Sequence, residues 1–507
     1  MSLLIEQEIS HQTQVPAPSV IGHAIQFLRD RWVPVLIVSA LILIPCYWHR
    51  RIEAGDLGSH TYNAWLAQLV VQGRAPGLYL ARQWNNVIVD SALTWLGAHL
   101  GFIVAERIVV SCCVLTFFWG AFAFISAAAL RPPWYLTPAI AMVTYGYTFY
   151  VGFMNFYLSL GLAFFSAAVF WRGTRVDRIL GAVLAALTLM AHPMGFGLLV
   201  AIVAYILLAE AVRGRLRWAV FASGFLALIL LRFGLHRLRT EGGFGLRFVL
   251  MNGADQLVLF GERYRLFAEY LIVLGACAFL AGAILDRKRL PVPQWFRTPL
   301  ELWAFFVFAV AVIPGTIWFP QYTAAVSSIN SRLTAVTAVL GLSVLASVRP
   351  RKWILAGLTL FAAIFFMFQY QDTAILNDME AQVETLVSNL PFGTRVSYTI
   401  DFGNASRINS RHMVDRACLG KCFTYSNYEP ATKQFRLRVS PAGSTIISNS
   451  GLDMEHGDYV VRPEDLPLAQ IYQSDESELT KLSIRNLSAG EKNGRIGHHP
   501  VLESRPQ

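Results

Sequence analysis

Charge is what this chain has least of. Only 15% of its 507 residues are Asp, Glu, Lys or Arg, against about a quarter in an ordinary soluble domain. Mean hydropathy is +0.47. The deficit is uneven: residues 33–370 hold nearly all the long apolar runs, while 371–507 read as an ordinary soluble domain. There is no Walker A lysine loop, dinucleotide glycine fingerprint or H-E-x-x-H, so ATP-driven transport and zinc proteolysis lose support. Nothing at the start looks like a cleavable leader. Residues 1–32 are polar, with Pro16 and Pro18, and the first apolar run begins at Val33. Cysteines number six, four of them in apolar runs as small buried hydrophobes. Cys418 and Cys422 form a C-x3-C pair, too few ligands for zinc alone. His412 and Asp415 lie close enough in sequence to keep a metal open. The preferred reading is a disulfide in an oxidising compartment, the alternative two free thiols. No metal or cofactor is expected.

A membrane span needs about 20 apolar residues. Windows of that kind fall at 33–48, 108–130, 133–149, 153–171, 179–192, 194–212, 218–235, 266–285, 300–318, 333–348 and 353–370. The expected fold is therefore a polytopic α-helical membrane protein of about eleven transmembrane helices. A segment of 1–32 precedes the membrane domain of 33–370. The net charge of +10 sits largely in short clusters between these runs and implies no nucleic-acid partner. With the N terminus in the cytoplasm, the inside turns carry Arg131; Arg172, Arg175 and Arg178; Arg213, Arg215 and Arg217; Arg287, Lys288, Arg289 and Arg297; and Arg349, Arg351 and Lys352. The short outside turns carry no Lys or Arg, which orients the chain by the positive-inside rule. Residues 87–104, with Asp90 and His99, are read as an amphipathic interfacial helix rather than a span.

That orientation places a small α/β domain, 371–507, outside the cytoplasm. Asn377–Leu390 reads as an amphipathic helix. Arg395–Ile400, Phe435–Val439, Thr445–Ile447 and Tyr459–Val461 read as strands, and the tail after Ser483 as disordered. Two long outer loops, 49–107 and 236–265, exceed the length of ordinary connections and point to function.

The most informative stretch is Glu53-Ala-Gly-Asp56-Leu-Gly-Ser-His60, directly after the first span. Asp56 is either a general base or an N-cap for the helix expected over Thr61–Val71. Arg332, at the outer end of a span, either snorkels or binds an anion. Arg247, Arg263 and Arg265 in the second long loop are weaker cationic candidates. His192, before Pro193, either meets a ligand or caps a break between helices. Asn155 reads more readily as a helix-to-helix contact. Trp65, Trp84 and Trp95 fit an interfacial belt.

An acid just past the first span, then an interfacial helix, resembles the GT-C class of membrane glycosyltransferases. Tyr150-Val-Gly-Phe-Met-Asn155-Phe-Tyr-Leu, Ala191-His192-Pro-Met-Gly-Phe196, Asn330-Ser-Arg332 and a C-terminal domain after the last span are similar to bacterial members. The resemblance implies a polyprenyl-phosphate sugar donor and a glycan or lipid acceptor outside the cytoplasmic membrane. It makes Asp56 the catalytic base and His60, His192, Arg332, Arg247 and Arg263 substrate-binding candidates. Many members pair two neighbouring acids; here Asp56 stands alone, with Glu53, Asp90 and Glu106 as candidate second acids. A transporter or flippase of a lipid-linked saccharide is the rival reading. It fits less well, because polar residues concentrate in loops rather than at the mid-plane.

Overall fold

A computed structural model describes residues 20–242, 252–285, 294–347, 352–402, 406–474 and 480–494. It is mostly helical, with a small sheet region. The longer helices are α1 (Val20–Leu43), α4 (Phe102–Ala129), α7 (Met154–Arg172), α8 (Asp177–Ala191), α9 (Pro193–Ala211), α10 (Gly214–Leu235), α11 (Glu262–Leu285), α12 (Gln294–Val312), α13 (Ile329–Leu345) and α14 (Lys352–Ser388). Among the described residues, five of them are long and apolar enough to cross a membrane: α4, α7, α9, α10 and α14. A narrower set than the eleven windows thus meets that standard, since α8 and α13 have only 15 and 17 residues. The window at 133–149 is not one helix. Pro132 and Pro133 open it, and it divides into a 3-10 turn, α5 (Thr137–Thr144) and α6 (Tyr147–Tyr150). The core gathers around α4, which packs along α7 through Phe117, Phe118, Phe124, Tyr157 and Phe164.

Between α1 and α4 lie α2 (Leu57–Val71), the short strand β1 (Leu78–Leu80) and α3 (Ile88–Leu100). The stretch expected at 87–104 is thus a separate helix, closed by Gly101 at φ +80°. Such a φ suits glycine, which has no Cβ to clash.

The boundary drawn at 370/371 falls inside one helix. From Leu358 to Leu390 the chain has no proline or glycine, so the last apolar run and the amphipathic helix join as α14. Pro391 and Gly393 follow its end. The C-terminal sheet has the order β5 (Phe423–Thr424), β4 (Arg395–Thr399), β7 (Leu468–Gln473), β8 (Leu482–Asn486). Its first three strands are parallel, and β8 runs antiparallel to β7. Three strand expectations shift. Phe435–Val439 contracts to β6 (Leu437–Val439), which pairs with β1 in the first long loop. Thr445–Ile447 forms no strand, and Tyr459–Val461 contributes a lone bridge at Val460. Residues beyond Ser483 extend β8; 495–507 lie outside the described residues.

The pairing of β1 with β6 belongs to a shared core. Tyr62, Leu66, Leu69 and Leu78 of the first loop pack with Val383, Val396, Tyr398, Val414 and Ile471. The first loop and the C-terminal region therefore fold as one body, and that union forms the candidate site.

Candidate functional site

Asp56 is fixed by its backbone. Its N–H donates to the Val151 carbonyl at 2.8 Å, and the Gly55 N–H to the Tyr150 carbonyl at 2.7 Å. Gly152, at φ +88°, lets the chain pass: a Cβ there would lie 2.4 Å from the Asp56 nitrogen. This is the work of the Tyr150-Val-Gly segment. Asp56 occupies the N-cap position of α2, yet its side chain makes no capping hydrogen bond. It lines a cavity of about 650 Å³ instead.

Four of the catalytic and substrate-binding candidates read from sequence line that cavity: Asp56, His60, His192 and Arg332. His60, one turn into α2, lies with Nδ1 3.0 Å from Asp90 Oδ1. Burial opposes a charged imidazole here. The carboxylates of Asp90, Glu429 and Asp56 outweigh it and push His60 up to about 9. Asn155 also lines the cavity, but its amide is spent on α3: Oδ1 accepts from the Val89 N–H at 2.9 Å, and Nδ2 donates to Asp90 at 3.4 Å.

His192 and Arg332 line the same cavity. His192 caps α9, its Nδ1 accepting from the Met194 N–H at 3.1 Å. With Nδ1 an acceptor, the ring proton sits on Nε2. Nε2 is 3.4 Å from Arg332 Nη1, itself a donor. Two donors therefore converge, an arrangement an anion would satisfy. The Arg332 guanidinium stands 4.0 Å from the centre of the Phe153 ring, its Nε is buried without a partner, and no carboxylate lies within ion-pair distance among the described residues. Asn330 is structural: its Nδ2 donates to the carbonyls of Val310 and Ile313, near the end of α12.

The remaining candidates lie elsewhere. Arg263, on α11, pairs with Asp372 of α14 at 2.6 Å and stacks over Phe368, so it ties two helices and does not reach the cavity. Arg265 pairs with Glu269 of its own helix. Arg247 lies outside the described residues. Of the three candidate second acids, Glu53 and Glu106 clamp Arg416 at 3.5 and 2.9 Å. Asp90 alone stands near Asp56, through His60. Trp65 stacks on Phe423, whereas Trp84 and Trp95 are exposed.

Sequence reasoning missed one wall of the cavity. Tyr428, Thr432, Gln434 and Phe435 of the C-terminal region line it. Behind Tyr428, Glu429 accepts from Asn63 of α2 at 2.7 Å. Burial pushes the Glu429 carboxyl up to about 7 against the pull of His60. His412, at the head of α15 (Met413–Ala417), lies 3.8 Å from Asp56. A signal was present in His412-x-x-Asp415, but only the tertiary contact directs it to Asp56. Cys418 and Cys422, bonded with Cα atoms 4.8 Å apart, close the turn after α15. Among the described residues no cluster of His, Cys, Asp and Glu is arranged to hold a metal ion. No protein-family model, curated protein or solved structure matches the chain.

Proposed function

We propose that this chain is a GT-C-like glycosyltransferase of the cytoplasmic membrane, moving a sugar from a polyprenyl-phosphate donor to a glycan or lipid acceptor on the outer side. One observation carries the reading: a single cavity is lined both by a carboxylate with no capping duty and by an Arg–His donor pair that has no carboxylate at ion-pair distance among the described residues. The donor's phosphate would sit against Arg332 and His192 Nε2, with charge-assisted hydrogen bonds replacing water. Asp56 would take the acceptor's hydroxyl proton as its oxygen bonds the anomeric carbon. The bond from that carbon to the phosphate oxygen breaks, and polyprenyl phosphate leaves with the electron pair. The growing charge on the leaving phosphate falls where the two donors converge, which is where stabilisation counts most. Apolar helices beside the cavity suit a lipid-linked donor.

The proposed topology sets the N terminus inside and the cavity outside, on the bias of Lys and Arg towards one set of short turns. Reporter fusions after Arg215 and after Gln371 should fall on opposite sides; the same side would reject it. The activity itself is tested by giving the purified full chain a panel of polyprenyl-phosphate sugars with simple glycan acceptors. Release of polyprenyl phosphate with sugar transfer is expected for one donor class. Passage of a lipid-linked saccharide across proteoliposomes without bond cleavage would replace the reading with a flippase.

A further inference from the structure

The C-terminal region brings to Asp56 a side-chain pair that the reaction above leaves unused. His412 is buried, with Nδ1 2.6 Å from Asp415 Oδ2. That contact keeps the Nδ1 proton in place and turns Nε2 towards Asp56 Oδ1, 3.8 Å away. The approach is built into the backbone. A Cβ at Gly58 would lie 2.2 Å from the His412 carbonyl oxygen, so the glycine is what lets α15 reach α2. Arg416, on the same short helix, is gripped by Glu53, Glu106 and Glu380, and the Cys418–Cys422 bond closes the next turn. The segment that aims His412 at Asp56 is thus fastened on both sides.

We infer that His412, oriented by Asp415, is a positioning residue for Asp56: an imidazolium supplied by the C-terminal region that holds the carboxylate towards the acceptor. The inference rests on Asp56 being the base. It makes the active site complete only when the C-terminal region is docked on the first loop.

The groups facing His412 are Asp415 on α15, Glu455 on α16 (Gly451–His456), Tyr398 on β4, Tyr428, Glu429 and Asp56. Arg411 is engaged with Glu455 at 3.6 Å. Burial works against the charged ring, but Asp415, Glu455 and Asp56 prevail and push His412 up to about 10. The imidazolium is therefore present at neutral pH and lost as pH rises through that value.

The test uses the full chain and turnover of the polyprenyl-phosphate sugar found active, followed from neutral to strongly alkaline pH. His412→Gln should lower kcat by up to about 10²-fold, the scale of a misplaced catalytic group, and abolish the alkaline limb. Asp415→Asn should retain the rate at the neutral end and move the limb down by about one pH unit or more. A purely structural histidine would give uniformly slower variants with an unmoved limb, and an unmoved limb in Asp415→Asn overturns the inference even if His412→Gln fails to fold. A second measurement needs no turnover. In ¹⁵N-histidine spectra of the full chain at neutral pH, His412 should carry protons on both nitrogens, and Asp56→Asn should shift its Nε2 signal. A neutral His412, or an Nε2 indifferent to Asp56→Asn, would overturn the inference. If no donor is turned over, the glycosyl-transfer reading falls, while the spectra still decide the contact.

Discussion

Arg416 and Arg332 are both enclosed by this fold, and they differ in what encloses them. Arg416 donates to Glu106 at 2.9 Å and to Glu380 at 2.5 Å, with Glu53 at 3.5 Å. It also donates to the Ile52 carbonyl at 2.9 Å. Arg332 faces aromatic rings, a histidine donor and the cavity. A buried cation costs several kcal/mol unless paired. The first arginine satisfies that requirement within the protein, joining α4, α14 and α15. The second leaves it open towards a space large enough for a ligand. Pairing, rather than residue type or burial, thus separates the structural arginine from the candidate ligand-binding one.

The largest effect should come from breaking the paired arginine. Arg416→Met removes the cation and leaves Glu53, Glu106 and Glu380 buried together. Stability should drop by about 3–5 kcal/mol, read as a lower thermal unfolding midpoint in detergent and easier proteolysis of the C-terminal region. A midpoint equal to wild type would show that the clamp contributes nothing. Arg332→Ala should behave in the opposite way, because among the described residues no carboxylate stands at ion-pair distance from it. Its midpoint should match wild type or rise, while donor binding weakens by about 10- to 100-fold, the value of a hydrogen bond to a charged group. A fall in stability with unchanged donor affinity would merge the two arginines into one class. Arg263→Ala should do least. Its pair with Asp372 is 40% exposed on the arginine side, so the loss is about 1 kcal/mol or less, and turnover should be untouched. A large loss of turnover would return Arg263 to the site.

The same contrast shows what could be read from sequence. Asp56, His60, His192 and Arg332 stand out locally because each is a polar side chain beside an apolar run, where an ionisable group needs a reason. Their meeting in one cavity follows from packing that no window describes. Arg416 was illegible for the converse reason: it is an ordinary arginine on a short helix, and its acids come from positions 53, 106 and 380. Arg263 misled because a basic loop residue looks the same whether it meets a phosphate or the Asp372 of a neighbouring helix. Helices were easier. Their ends followed Pro and Gly, as at Pro193 and Pro391, and prolines likewise cut the window at 133–149 into short pieces. The small sheet was harder. Ile446 and Ile447 look like a strand and instead pack in a loop of the shared core. Strand β8, with its polar surroundings, reads in sequence as part of a disordered tail because its register is set by β7.

The central claim, that Asp56 acts as a base in this cavity, is tested most directly by Asp56→Asn in the full chain, with donor binding and turnover measured on the same sample. Asparagine keeps the shape and caps a helix about as well as aspartate, but it cannot take a proton. The account predicts wild-type thermal stability, donor affinity within a few-fold of wild type, and turnover reduced by about 10²–10⁴-fold. Turnover near wild type would contradict it and move the search for the base to Asp90.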